Sequence, residues 1–168
     1  LYWGVYNLAE RPSGPFVAAH LGGAPEDYDV RNGSNILEGD DRVWRELFAL
    51  VETGSTHPDL YPEIARRLDL RAFADFILLN LYGANGDWDG SSNWYAARRR
   101  SPFGPFHFFA WDGERTLEGV EANVLDYDAA ESPPGLFQKL RKNPVFRKLF
   151  AERAHAVLLF DEADALVA

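Results

Sequence analysis

The segment Leu70–Tyr82 constrains this chain more than any other. Phe73, Phe76, Ile77, Leu78, Leu79 and Leu81 crowd a stretch free of Gly and Pro, leaving almost no polar face. A helix that is apolar around its circumference must be enclosed by other elements. It falls short of the ~20 residues needed to cross a bilayer. The segment therefore predicts a central, buried helix, and the rest of the 168 residues must supply its walls.

The flanking sequence offers those walls. Asp40 or Asp41 can cap a helix running to about Glu52 and closed by Gly54, with Val43, Trp44, Leu47, Phe48, Leu50 and Val51 at helical spacing. A further helix is expected from Pro58 to Leu68, and a short one from Phe16 to Leu21, stopped at Gly22-Gly23. Two more are expected near the end, over Leu136–Lys142 and from Val145 to about Phe160, the latter capped by Asn143 with Pro144 at its start. Leu1–Leu8 and Asp27–Arg31 read as strands, the second followed by an Asn32-Gly33 turn. Asn93–Arg98 and Phe106–Trp111 read as a β-pair around Ser101-Pro102-Phe103-Gly104-Pro105, and Thr116–Ser132 as an irregular acidic segment. The expected class is α+β with a helical majority, in one domain over residues 1–168. A chain that opens on Leu1-Tyr2-Trp3 and contains no Met is expected to begin inside a strand, as the back portion of a longer domain.

Composition excludes several functions. There are 17 Lys and Arg against 26 Asp and Glu, a net charge of −9, so a general nucleic-acid binder is not expected. Without Cys there is no disulfide framework, thiol nucleophile or thiolate zinc site. No apolar run is long enough for a membrane span, and no signal-like stretch opens the chain. His20, His57, His107 and His155 sit on separate elements, and no Gly-x-Ser-x-Gly elbow occurs. His107, alternating with Phe106 and Phe108, is expected on the solvent side of its strand.

Two polar loops carry the chemistry. The first, Asn85-Gly86-Asp87-Trp88-Asp89-Gly90-Ser91-Ser92-Asn93, follows the apolar helix and precedes a strand. A carboxylate, a flexible spacer and an amide can accept a substrate proton and bind a hard cation through oxygen. The plainer reading is a turn rich in Asx and Gly. The second, Trp111-Asp112-Gly113-Glu114, ends an apolar strand on an acid that could hold Mg²⁺ against a phosphate, or could be an ordinary Asp-Gly turn. Asp87 and Asp112 are 25 residues apart, and the hairpin between them returns the second loop to the first. Protein kinases use this plan.

At this point the chain resembles the CotH (spore coat protein H) kinases, atypical bacterial protein kinases. The resemblance rests on Tyr2-Trp3-Gly4-Val5-Tyr6-Asn7-Leu8-Ala9-Glu10, the Gly-Asp-Trp loop with Asn93-Trp94-Tyr95, Phe108-Phe109-Ala110-Trp111-Asp112, and Phe137–Phe150. It implies an atypical kinase-like fold with its N-terminal strands truncated. It also implies phosphoryl transfer from ATP, with Mg²⁺, to Ser or Thr of a surface or coat protein. The family's setting suggests an extracellular, cell-surface or spore-coat location. By that resemblance Asp87 orients or deprotonates the acceptor hydroxyl, while Asn93 and Asp112 hold metal. Glu10 matches a characteristic acid of the family and is grouped with the nucleotide-binding candidates. So is Trp94, which with Trp88 and Trp111 could stack a base; core packing is the plainer reading.

Two departures qualify this pattern. Kinase catalytic loops follow D-x-x-x-x-N, whereas five residues separate Asp87 from Asn93, three separate Asp89 from Asn93, and Ser92 takes the expected place. Either the loop bulges or Asp89 shares the role given to Asp87. There is also no Gly-rich phosphate loop and no Lys before Lys139, leaving Arg31 and Arg98-Arg99-Arg100 as the available cations. The Arg run is expected to be a solvated strand end rather than a phosphate contact. Two alternatives follow: a non-catalytic, pseudokinase-like binding module, or a carbohydrate-active protein with paired carboxylates such as Asp87 and Asp89 roughly 5–9.5 Å apart.

Overall fold

Asp69 starts the central helix, α4 (Leu70–Tyr82), by accepting the main-chain N–H groups of Arg71 and Ala72 at 3.1 and 3.0 Å. The computed structural model describes residues 8–54, 56–57, 59–89, 92–119 and 121–158. Among them, α1 (Gly14–Leu21) leads to β1 (Tyr28–Asn32) and β2 (Asn35–Glu38). Next come α2 (Arg42–Gly54), α3 (Tyr61–Arg67) and α4. The hairpin β3 (Trp94–Arg99) and β4 (His107–Ala110) precedes α5 (Pro133–Leu140) and α6 (Pro144–Leu158). The fold is α+β, consistent with a kinase-like lobe.

The four strands form one antiparallel sheet in the order β2-β1-β3-β4. Across β1 and β3, Asp29 faces Arg98 and Arg31 faces Ala96. Across β3 and β4, Trp94 faces Ala110 and Ala96 faces Phe108. One side of this sheet carries Trp94, Phe106 and Phe108 into a core shared with Trp44 of α2 and with Phe73, Phe76 and Ile77 of α4. Trp44 and Trp94 stack with ring centroids 5.6 Å apart and planes 17° from parallel. Each such ring removes enough apolar area from water to contribute roughly 1.5–3 kcal/mol.

The expected hairpin, the strand over Asp27–Arg31 and the helices after Phe16, Asp41 and Leu70 all form. The strand expected over Leu1–Leu8 falls almost wholly outside the described residues, and Leu8 has no regular structure. Three differences have physical causes. α3 begins at Tyr61 with Pro62 in its first turn, where a missing N–H costs nothing; Pro58 lies outside the described residues. α5 starts earlier than expected, because Ser132 Oγ accepts from Gly135 N–H and Pro133-Pro134 occupy the donor-free first turn. β2 was not expected, since Ile36 and Leu37 on this edge strand are exposed and leave no burial pattern.

The central helix is not enclosed on all sides. Phe73, Ala74, Phe76, Ile77 and Leu78 are buried, but Leu79 is 59% and Tyr82 71% exposed. Spaced i, i+3, these two share the face turned away from the sheet. With Leu78, Val157 and Leu158 they line an open apolar cavity of about 410 Å³.

The Arg run is corrected as well. Arg98 is buried, with Nε 3.4 Å from Asp29 Oδ2. Arg99 pairs with Asp27 at 3.1 Å and Arg100 with Asp29 at 3.6 Å. These arginines brace the end of β3 against the carboxylates of the preceding turn and β1; Arg98 is withdrawn from solvent, while Arg100 stays exposed. His107 is half-buried, its Nδ1 3.5 Å from the helix-capping Asp69.

Candidate functional site

The first polar loop grows out of the last turn of α4 through an amide ladder. Asn80 Nδ2 donates to Phe76 O at 2.9 Å, and Asn85 Nδ2 donates to Asn80 Oδ1 at 2.9 Å. Asn85 N–H closes on Asn80 O at 3.0 Å. Both side chains are buried, so the ladder satisfies their polar groups while fixing the loop's exit. Three residues further on, the buried Trp88 ring packs against Phe76 and anchors the loop.

Main-chain bonds tie this loop to the second. Gly86 N–H donates to Arg115 O at 2.9 Å, and Leu117 N–H donates to Gly83 O at 2.7 Å. Tyr127 Oη donates to Gly86 O at 3.1 Å, while Gln138 of α5 holds the Tyr127 carbonyl at 3.0 Å. The hairpin thus returns the chain, and the 115–117 segment bonds directly to 83–86.

Asp87 sits between them, half-buried. Its Oδ1 is buried and has no hydrogen-bond partner among the described residues. Its carbonyl accepts from Asn93 Nδ2 at 3.2 Å, so the loop folds Asn93 back onto Asp87. Asn93 Oδ1 accepts from Ser92 Oγ at 3.2 Å. Asp112 follows at the end of β4 with φ +53°, a left-handed conformation that Asp tolerates better than most residues. Glu114 senses both acids. Its own N–H draws its pKa down, but a hydrogen bond to Asp112, partial desolvation and the charges of Asp112 and Asp87 together raise it. Arg115 is held by Glu118 at 3.0 Å, and that pairing keeps it protonated, with Asp87 adding to the effect.

The other candidates are placed as follows. Glu10 is exposed in an irregular segment, whose Arg11 lies 5.8 Å from the centroid of Trp111. That contact brings the 8–12 segment beside Asp112. Trp94 is 2% exposed and packed against Trp44 and Phe108, so core packing accounts for most of its surface. Asp89 and Trp94 help to line a cavity of about 390 Å³ next to the loop. Lys139 pairs with Glu52 on the far side of α2. Among the described residues, no three His, Asp or Glu side chains converge as a closed metal cluster.

Sequence reasoning passed over Asn80 as a positioning residue, although a lone amide in an otherwise apolar helix was a visible signal. Tyr127 and Gln138 offered no such signal, because their contacts are to main-chain carbonyls far away in sequence.

A buried helix feeding an Asp/Asn loop, followed by a β-hairpin whose far end is bonded back to that loop, is consistent with a kinase-like lobe. The chain belongs to the CotH kinase family: the family model described as CotH kinase protein matches residues 1–165. Membership implies a kinase-like function. No curated protein and no solved structure matches the chain.

Proposed function

We propose that the protein transfers the γ-phosphoryl group of ATP, with Mg²⁺, to a Ser or Thr hydroxyl of a protein acceptor. One observation supports this most: a buried, unpartnered Asp87 oxygen beside the Asp112 and Glu114 carboxyls. Like charges gathered without a counterion are costly, and a hard cation offsets them. Asp87, Asn93 and Asp112 fit such a cation by their oxygen donors, and a bound Mg²⁺ would supply charge neutralisation on the phosphates. The chain's own part is to orient the acceptor hydroxyl, at Asp87, and to fix the loop through Asn93. Asp89 opens onto the adjoining cavity and is the second carboxylate available to that hydroxyl.

Phosphate incorporation from labelled Mg-ATP into a Ser-bearing protein tests this reading. Asp87→Ala and Asp112→Ala are each expected to lower the rate by about 100-fold or more. Incorporation that survives both substitutions overturns the assignment. If Asp89→Ala is the more damaging change, the hydroxyl-orienting role passes to Asp89.

The second reading, a binding module without turnover, draws on the Ser92 spacing and on Lys139 being spent on Glu52. It predicts Mg-ATP binding by calorimetry with no phosphate incorporation.

A further inference from the structure

Arg31 is more than nine-tenths buried, with 7% of its surface exposed, and among the described residues no carboxylate stands within ion-pairing distance of it. Its one hydrogen bond there runs from Nε to Gly33 O at 2.8 Å. The guanidinium carbon lies 4.0 Å from the Trp44 ring centroid and 5.9 Å from that of Trp94. The rings cover a face of the guanidinium and offset part of its desolvation. They do nothing for the remaining N–H groups. Burial lowers the Arg31 pKa to about 10, only partly opposed by the more distant charges of Glu131 and Asp41.

Arg31 belongs to the wall of the 390 Å³ cavity, together with Ser34, Asp89, Trp94, Glu131 and Ser132. The floor is fixed by close packing. Ser132 Oγ caps α5, and a Cβ at Gly135 would stand 2.3 Å from Ala129 O, so only Gly lets the 129–132 loop approach. A planar guanidinium with open donors matches a carboxylate or phosphoryl group, which takes two parallel hydrogen bonds.

We infer that this cavity is an oxyanion subsite, in which Arg31 holds a carboxylate or phosphoryl group on the acceptor protein, next to the hydroxyl presented to the Asp87–Asp89 loop. The acceptor class is then a Ser or Thr with an acidic or already phosphorylated neighbour, which rests on the kinase reading above. The acids of the same lining set the orientation. Asp89 repels the oxyanion and accepts a hydroxyl, while the charge of the exposed Glu131, felt at Arg31 from beyond pairing distance, opposes a bound oxyanion.

Trp44 and Trp94 flank the guanidinium, so intrinsic fluorescence reports on it without any need for turnover. Inorganic phosphate titrated at constant ionic strength should give a saturable change in the full chain. That change should vanish in Arg31→Gln and shift several-fold to lower concentration in Glu131→Gln, whose side chain is exposed and whose fold is not at risk. No saturable change in the parent protein, equal binding by Arg31→Gln, or no shift in Glu131→Gln overturns the subsite. Two competitors then separate the sources. An Asp-flanked Ser peptide should displace phosphate and a Gln-flanked peptide should not, whereas displacement by ATP alone overturns the assignment to the acceptor. Phosphate binding without phosphoryl transfer would sink the kinase reading and leave the subsite standing.

Discussion

Arg31 and Arg98 lie on adjacent strands of one sheet, both more than nine-tenths buried, in contrasting surroundings. Opposite Arg98 in the ladder stands Asp29; opposite Arg31 stands Ala96. Arg98 also covers the Phe103 ring at 4.6 Å, as Arg31 covers Trp44 at 4.0 Å, so both have an aromatic face. The carboxylate beside Arg98 and the cavity beside Arg31 separate them, and Arg31 also holds the Gly33 carbonyl. A buried guanidinium with a fixed anion is a brace, and one with an aromatic bed and an adjoining cavity is a receptor.

The contrast can be broken by experiment. Asp29→Ala strands Arg98 in the core and should cost about 3–5 kcal/mol in denaturant unfolding. Arg31→Met removes a cation with no anion to abandon, and should change stability by about 1 kcal/mol or less. If the two losses are equal, Arg31 is structural and the distinction fails.

A pH series sharpens the same point. Burial pushes the Asp29 carboxyl up, with the Asp40 N–H and Arg98 pulling the other way but not prevailing. The folded state therefore binds this proton more readily than the unfolded chain. Its contribution is full below the ordinary Asp range and is lost as pH rises through the raised value. Relative to Asp29→Asn, the parent protein should gain thermal stability as pH falls from neutral toward that range. The smallest effect belongs to an exposed pair: Asp41→Asn, which loses the 2.8 Å contact with Arg45, should cost no more than about 0.5 kcal/mol in the same unfolding assay.

The sequence carried most of this architecture, and for identifiable reasons. Leu70–Tyr82 and its Asp69 cap follow local rules, as does the β3–β4 hairpin, whose alternation marks one buried face. Both polar loops could be located because each follows an apolar element and is rich in oxygen donors. What escaped depends on partners distant in sequence. The burial of Arg98 is decided by Asp29, the exposure of Leu79 and Tyr82 by which face the sheet covers, and the early start of α5 by a single Ser132 cap. The loop's departure from kinase spacing was visible at once. That Asn93 would turn its amide onto the Asp87 carbonyl was not, since a bulged loop has several ways to close.

The bonds joining 83–86 to 115–117 run from peptide group to peptide group. Side chains at Arg115, Thr116 and Leu117 can therefore drift without disturbing the alignment of Asp87 with Asp112. Selection is free to rewrite the rim while the two loops keep their alignment. A proline at Gly86 or at Leu117 deletes one of the two donors and loosens that tie.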